Sequence, residues 1–347
     1  MRVLVTGHRG YIGAVMASVL QNARFDVVGL DCDLYGACEF GRTRETVPSY
    51  DTDLRDIEWS DLLSFDAVVH LAALPEDFDD QIDPQLTEEI NLSATIRLAE
   101  CCKRAQISRF LFASTCAVYG RDESGLIRED GVTHPLSAYA KSKLECEREL
   151  SRMNSDTFAP VLLRNGTVYG VSPRLRLDTV VNDFVGAAFT NGRIDMQTEG
   201  RAWRPLIHVE DVARAYAAVL AAPDKRVAGH TFNVVASKEN FRVIDVADMV
   251  TELIPHTTRV VPTGAFDRRS YRVDGTKLSD ACPKLSMRWT LREGIRQLRD
   301  AMNSAGMTPG DWRSGRYRRI ARLSSLIERG ELDASLRRPS ELVSSTS

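Results

Sequence analysis

Gly7, Gly10 and Gly13 follow the strand-like run Val3-Leu4-Val5-Thr6 and lead straight into the helix-like segment Ala14-Val15-Met16-Ala17-Ser18-Val19-Leu20. A strand that turns at once into a helix, with no side chains in the turn, exposes backbone N–H groups at a helix N-terminus, where a pyrophosphate can be held. A glycine-rich turn that binds nothing has the same spacing. The next strand separates the two readings. Asp26-Val27-Val28-Gly29-Leu30 ends on Asp31, about twenty residues after the glycines, where a carboxylate accepts from a ribose 2′-hydroxyl and repels a 2′-phosphate. The combination predicts a dinucleotide site for NAD rather than NADP.

Short apolar runs then alternate with longer amphipathic stretches. Asp66-Ala67-Val68-Val69-His70-Leu71 precedes a helical segment near Leu92 to Ala105, and Arg109-Phe110-Leu111-Phe112-Ala113-Ser114 precedes the helix-like Ala138 to Arg152. Pro160-Val161-Leu162-Leu163-Arg164 follows. Repeated strand-then-helix order implies right-handed crossovers and a parallel sheet covered on both faces. The expected fold class is α/β: a doubly wound parallel (Rossmann) sheet with a smaller, interwoven C-terminal substrate lobe. From about Asn165 the rhythm loosens around Pro173, Gly186, Gly192, Gly200 and Pro205, while Thr231-Phe232-Asn233-Val234-Val235 and a helix opening at Asp211 return to the sheet. Residues 1–165 are read as the dinucleotide-binding domain, 166–300 as the substrate lobe, 301–338 as an arginine-rich helical extension, and 339–347 as a disordered polar tail. The arginines of the extension suit a solvated helix face or an interface better than a nucleic-acid patch.

A formal net charge of −3 with both signs mixed along 347 residues points to a small ligand, not to nucleic acid or a membrane surface. The seven cysteines show no C-x-x-C pair and no His/Cys metal spacing, so no metal is expected and most are read as buried thiols in a reducing compartment. Gly7, His8, Arg9 and Gly10 interrupt the apolar start before a signal-peptide core could form, and no run approaches membrane-spanning length. A soluble, cytoplasmic protein is the expectation.

Tyr139 and Lys143 lie one helical turn apart on one face of a predicted helix. Tyrosine has an ordinary pKa near 10, and bringing it to neutrality requires about 4 kcal/mol. An ammonium about 4 Å away, at an effective dielectric of about 20, supplies on the order of 4 kcal/mol. Tyr-x-x-x-Lys also arises by chance on exposed helices. Its context here is the strand ending Phe112-Ala113-Ser114-Thr115, which delivers hydroxyls to the sheet's C-terminal edge, where open α/β folds bind ligands. A strand-end Ser-Thr is otherwise a helix cap or a turn.

With these residues assembled, the chain resembles the extended short-chain dehydrogenase/reductase superfamily, in its nucleotide-sugar epimerase and dehydratase branch, from Met1 to about Leu298. Thr6-Gly7-His8-Arg9-Gly10-Tyr11-Ile12-Gly13 is similar to the cofactor loop, Asp31 to the ribose ligand, and Asp53-Leu54 to the pair that contacts adenine. His70-Leu71-Ala72-Ala73 resembles the strand beneath the pyrophosphate, and Asn91 the helix asparagine behind the active site. Within Ser114-Thr115-Cys116-Ala117-Val118-Tyr119-Gly120 the resemblance makes Thr115 the hydroxyl that joins Tyr139 and Lys143 in catalysis, and implies that Tyr139 and Lys143 also meet the cofactor, Lys143 at the nicotinamide ribose. Arg204-Pro205-Leu206-Ile207-His208-Val209-Glu210-Asp211 resembles the stretch whose arginine grips the nucleotide diphosphate. Arg268-Arg269-Ser270-Tyr271-Arg272-Val273-Asp274 resembles a second phosphate clamp, with the working arginine left open.

The resemblance implies an NAD-dependent nucleotide-sugar epimerase, acting at C4 of a UDP- or dTDP-hexose through a keto-sugar. Family members often form homodimers through their two central helices. Three departures keep a dehydratase or ketoreductase of a deoxysugar pathway as the alternative, with a catalytically silent nucleotide sensor behind both. The 4,6-dehydratases of the family carry Asp-Glu after the catalytic threonine, where this chain has Cys116-Ala117; Cys116 is either a substrate-side acid or base, or a packing thiol. Arg9 matches the phosphate-binding arginine of some NADP-dependent reductases, although Asp31 argues against a 2′-phosphate. Many relatives have asparagine at the position of Thr167, which leaves Asn165 or Thr167 to meet the substrate, with Asn182 a further candidate contact.

Overall fold

The computed structural model describes residues 1–41, 47–75 and 84–339. Of the polar tail, everything after Pro339 lies outside the described residues.

Among the described residues fourteen strands run β1 Arg2–Thr6, β2 Asp26–Asp31, β3 Ser49–Asp51, β4 Ala67–His70, β5 Arg109–Thr115, β6 Arg121–Ile127, β7 Val161–Asn165, β8 Thr167–Tyr169, β9 Arg193–Asp195, β10 Trp203–His208, β11 Thr231–Val234, β12 Asn240–Arg242, β13 Thr258–Val260 and β14 Ser270–Val273. Seven of them form one sheet in the order β11-β7-β5-β4-β1-β2-β3, and every neighbouring pair is parallel. The strand order reverses between β1 and β4, so the turn after β1 opens at the crevice between those strands.

Alternation along β1 explains the layering. Val3 and Val5 pack with helices Tyr11–Asn22 and Val209–Ala221 on one face, while Leu4 packs with helices Ala94–Arg104 and Ala138–Arg152 on the other. The helix expected to open at Asp211 starts at Val209, because the His208 side chain accepts from Glu210 N at 3.2 Å and caps it. Ahead of helix Ala94–Arg104 the chain forms a π-helical segment, Glu88–Ser93, which aims Asn91 inward.

The smaller lobe holds the sheet β12-β10-β8 and a core between helices Val180–Asn191, Val243–Leu253 and Leu291–Ser304, with Val185, Val250 and Ile295 at its centre. β11 carries the chain back to the main sheet beside β7. The C-terminal helix Arg319–Glu328 and the segment after it pack Leu323, Leu326, Leu332 and Leu336 against Leu74 and Leu86. Among the described residues no helix is long and apolar enough to cross a membrane. All seven cysteines are free thiols.

Candidate active site

The glycine turn is built so that larger residues do not fit. Gly7 has φ +72°, and a Cβ there would lie 2.8 Å from Ala72 N; a Cβ on Gly13 would lie 2.0 Å from Gly7 O. Helix Tyr11–Asn22 starts from Gly10 with no side-chain cap and no acidic residue in its first turn. Its first N–H groups are therefore left to a ligand, as a diphosphate requires.

Beside the turn, Asp31 accepts from Arg9 N at 2.9 Å and from Asp33 N at 2.8 Å, and burial raises its carboxyl pKa. The Arg9 guanidinium is turned toward β3, paired with Asp51 and donating to Ser49 Oγ at 2.9 Å. Asp53 caps the short turn that buries Leu54. Burial pushes its carboxyl up, but hydrogen bonds from Arg55 outweigh that and hold it below its ordinary value. This cradle, with a carboxylate at the end of β2, fits an adenine dinucleotide with a free ribose 2′-hydroxyl.

A cavity of about 620 Å³ runs from the turn (Gly7, Gly10, Tyr11, Ile12, Gly13) past Leu71 and Ala73 to Thr115, Tyr139 and Lys143. Asn91 does not line it. Its side chain instead accepts from Leu74 N at 2.7 Å and donates to Leu74 O at 3.0 Å, clamping the loop after β4.

Ser137 caps helix Ala138–Arg152 by accepting from Ala140 N, and this sets Tyr139 in the first turn facing the cavity. Lys143 is only 1% exposed; Nζ lies 4.7 Å from the centroid of the Phe112 ring and 5.9 Å from that of Tyr139. Burial lowers its pKa to about 8. Thr115 Oγ1 accepts from Ala117 N at 3.1 Å, which leaves its proton for donation into the cavity.

Cys116, a candidate substrate contact from sequence, does not line the cavity. Its thiol is buried and donates to Arg164 O at 3.2 Å, and burial pushes its pKa well up, as in a packing thiol. Ala117 does line the cavity. β5–β7 register sets Thr115 beside Asn165; Asn165, which donates to Tyr216 Oη at 3.0 Å, and Thr167 are both cavity residues. Asn182 is not: fully buried, it accepts from Gly170 N at 3.0 Å and donates to Tyr11 Oη at 3.1 Å and Arg176 O at 2.9 Å. It ties the glycine turn to the smaller lobe.

At the far wall, Arg204 on β10 donates to Trp203 O at 2.8 Å and to Arg269 O at 2.5 Å, and pairs with Asp267. Arg269 Nε also meets Asp267, at 3.3 Å. Burial pushes the Asp267 carboxyl up, and the two arginines more than offset it, holding it below its ordinary value. Arg269 lines the cavity; Arg268 is exposed and does not. Two guanidinium groups held by one carboxylate suit a dianionic ligand.

Sequence reasoning missed Asp267, Arg176, Tyr35 and Arg319, which also line the cavity. It missed as well the buried network in which Ser114 Oγ donates to Glu147 at 2.5 Å and Arg164 pairs with Glu147 at 2.7 Å and donates to Tyr119 Oη at 2.9 Å. Glu147 carried a signal, since it follows Tyr139 and Lys143 at i+8 and i+4 on one helix face.

Residues 3–235 match the model of the NAD dependent epimerase/dehydratase family. A UDP-glucose 4-epimerase of Azospirillum brasilense is 32% identical over 287 residues, 77% of this chain and 81% of that protein. Among solved structures, MoeE5 in complex with UDP-glucuronic acid and NAD is similar at TM-score 0.75 and 28% identity, covering 88% of this chain and all of that one. TunA, an NAD-dependent NDP-hexosamine 5,6-dehydratase of tunicamycin biosynthesis, shares the fold at TM-score 0.78 and 22% identity, over 87% of this chain and 98% of its own. The chain, with its glycine cradle and the Tyr139–Lys143 pair in one cavity and Asp31 beside the turn, belongs to the NAD dependent epimerase/dehydratase family.

Proposed function

We propose that this chain is a nucleotide-sugar 4-epimerase acting on a UDP- or dTDP-hexose. The observation that carries the reading is that Thr115, Tyr139 and Lys143 share one cavity with the glycine turn, while Ala117 offers no proton-transfer group there and Cys116 is turned away. When bound, NAD supplies the acceptor for the hydrogen taken from the sugar carbon and gives it back. Tyr139 receives the proton of the sugar hydroxyl, and the charge on Lys143 stabilises the phenolate that does so. Thr115 donates to the same sugar oxygen and orients it.

Arg204 and Arg269 hold the diphosphate, leaving the hexose with few fixed contacts so that it can turn and present its other face. Asp267 keeps both guanidinium groups at the cavity wall. Helices Ala94–Arg104 and Ala138–Arg152 are the expected homodimer contact, giving twice the chain mass in light scattering.

The test is incubation of the purified protein with UDP-glucose, UDP-galactose and dTDP-glucose, reading product mass and stereochemistry. An epimerase returns an isomer of unchanged mass without added coenzyme. A product lighter by one water, or stoichiometric consumption of NAD(P)H, overturns the reading in favour of the dehydratase or ketoreductase alternative.

A further inference from the structure

In the cavity that the glycine turn also lines, the C-terminal extension presents a cation with unused bonding capacity. Arg319 opens helix Arg319–Glu328 and is only 2% exposed. Its Nη2 donates to Arg174 O at 2.6 Å, and its guanidinium stacks on Tyr35, 4.6 Å from the ring centroid. Nη1 is buried without a hydrogen-bond partner. Asp178 attracts the guanidinium from a distance but spends its carboxylate elsewhere, accepting the backbone N–H of Arg319 at 3.0 Å and binding Arg176 Nε at 2.7 Å. Arg318, next in the chain, is matched by Asp183 at 2.6 Å. Burial, and then the like charge of Arg176, lower the Arg319 pKa. A buried guanidinium with an idle donor and a like charge beside it is costly unless an anion completes the site.

The surroundings of Arg319 point to the anion: its charge acts on Tyr11, the first residue of the helix after the glycine turn. Arg319 and the uncapped first turn of helix Tyr11–Asn22 line the same cavity, and Tyr35 follows β2 and Asp31, on the adenosine side. Arg204, Asp267 and Arg269 form a separate anion clamp at the far wall. We propose that Arg319 is a ligand of the dinucleotide's diphosphate, so that the C-terminal extension closes the coenzyme site opposite the glycine turn.

The rest of the extension is fastened for that task. Arg316 donates to Ala37 O at 3.1 Å and Glu39 O at 2.7 Å, and Arg338 to Asp33 O at 3.2 Å, so residues 33–39 after β2 are held by both ends of the extension. Arg55, which binds Asp53, also donates to Ser335 O at 3.0 Å. The extension thus spans the cleft from the diphosphate to the adenine end.

The test is a calorimetric titration of full-length protein, freed of nucleotide, with NAD and with adenosine. It uses no sugar, so it stands apart from the epimerase reading. Arg319→Gln is expected to bind NAD at least tenfold more weakly and adenosine as the parent does, since only NAD carries the diphosphate. Arg319→Lys, which keeps the charge without the fork, is expected to lie between them. Titrating UDP into NAD-loaded protein is expected to give the parent affinity. Unchanged NAD binding by Arg319→Gln overturns the proposal, as does equal weakening of NAD and adenosine, which assigns Arg319 to holding the Tyr35 loop. Loss of UDP affinity in place of NAD affinity overturns it too, in favour of the substrate's diphosphate. If Arg319→Gln does not fold, Arg319→Lys gives the decision: a severalfold loss for NAD alone supports the assignment, and no loss defeats it.

Discussion

Lys143 Nζ lies 5.9 Å from the centroid of the Tyr139 ring, at a site where burial lowers the lysine pKa to about 8. The charge that stabilises a phenolate is thus itself titratable in the working range. Below about pH 8 Lys143 is protonated and able to hold a negative oxygen; above it that capacity is lost. The same shift acts on stability with the opposite sign. Between about 8 and the unfolded lysine value of about 10.4, the unfolded chain binds a proton that the folded one does not, so stability rises with pH across that window. We expect kcat/KM to fall as pH rises through about 8 while resistance to urea increases. Parallel pH profiles of turnover and urea midpoint check it, and Lys143→Met should abolish both trends.

Tyr139→Phe keeps the ring beneath Lys143 and removes only the hydroxyl. Turnover is expected to drop by about 10²–10⁴, with NAD affinity within about twofold of the parent, because most of the dinucleotide contacts argued above come from the turn, Asp31 and Arg319. Steady-state kinetics beside a direct NAD titration measure both; undiminished turnover would remove Tyr139 from the role of base.

Arg204→Gln takes one cation from the clamp around Asp267. A charge-assisted contact to a diphosphate contributes about 1.5–3 kcal/mol, so UDP should bind the NAD-loaded variant roughly ten- to a hundredfold more weakly. Arg268→Gln, changed at an exposed residue, should bind UDP as the parent does, and Arg269→Gln should resemble Arg204→Gln. Calorimetry on the three variants decides which neighbouring arginine forms the clamp.

Glu147→Gln leaves the Arg164 guanidinium buried without a countercharge. The expected loss is about 3–5 kcal/mol of folding stability, read from urea unfolding, since the pair joins helix Ala138–Arg152 to β7 directly behind Ser114.

The sequence revealed what is periodic and local. The glycine turn, Asp31 at the end of β2 and the Tyr139–Lys143 pair are each set by spacing within one strand–turn–helix unit or one helix face. Residues joined by long-range register were harder to read. Asp267 stands 63 positions from Arg204 and Arg319 follows Tyr35 by 284, and no periodicity links such positions. Cys116, which adjacency to Thr115 leaves open between a substrate contact and a packing thiol, is the latter: one step beyond Thr115 at a strand end, its side chain takes the opposite face and meets Arg164 O instead of the cavity. Asn182 and Asn91 are inward-facing polar residues, as candidate contacts should be, yet both spend their amides within the protein, Asn91 on backbone and Asn182 on backbone and Tyr11 Oη. Such residues look alike in sequence whether they face a ligand or a loop.

The phenol of Tyr11 donates to Gly170 O at 2.8 Å and accepts from Asn182. One side chain from the coenzyme turn is thereby riveted to the lobe expected to hold the sugar, at a buried point where water cannot replace the lost partners. A clamshell hinge between the lobes would have to break this joint in every cycle. Each polar group left buried without a partner costs about 1–3 kcal/mol, which favours a fixed alignment of the two halves of the molecule.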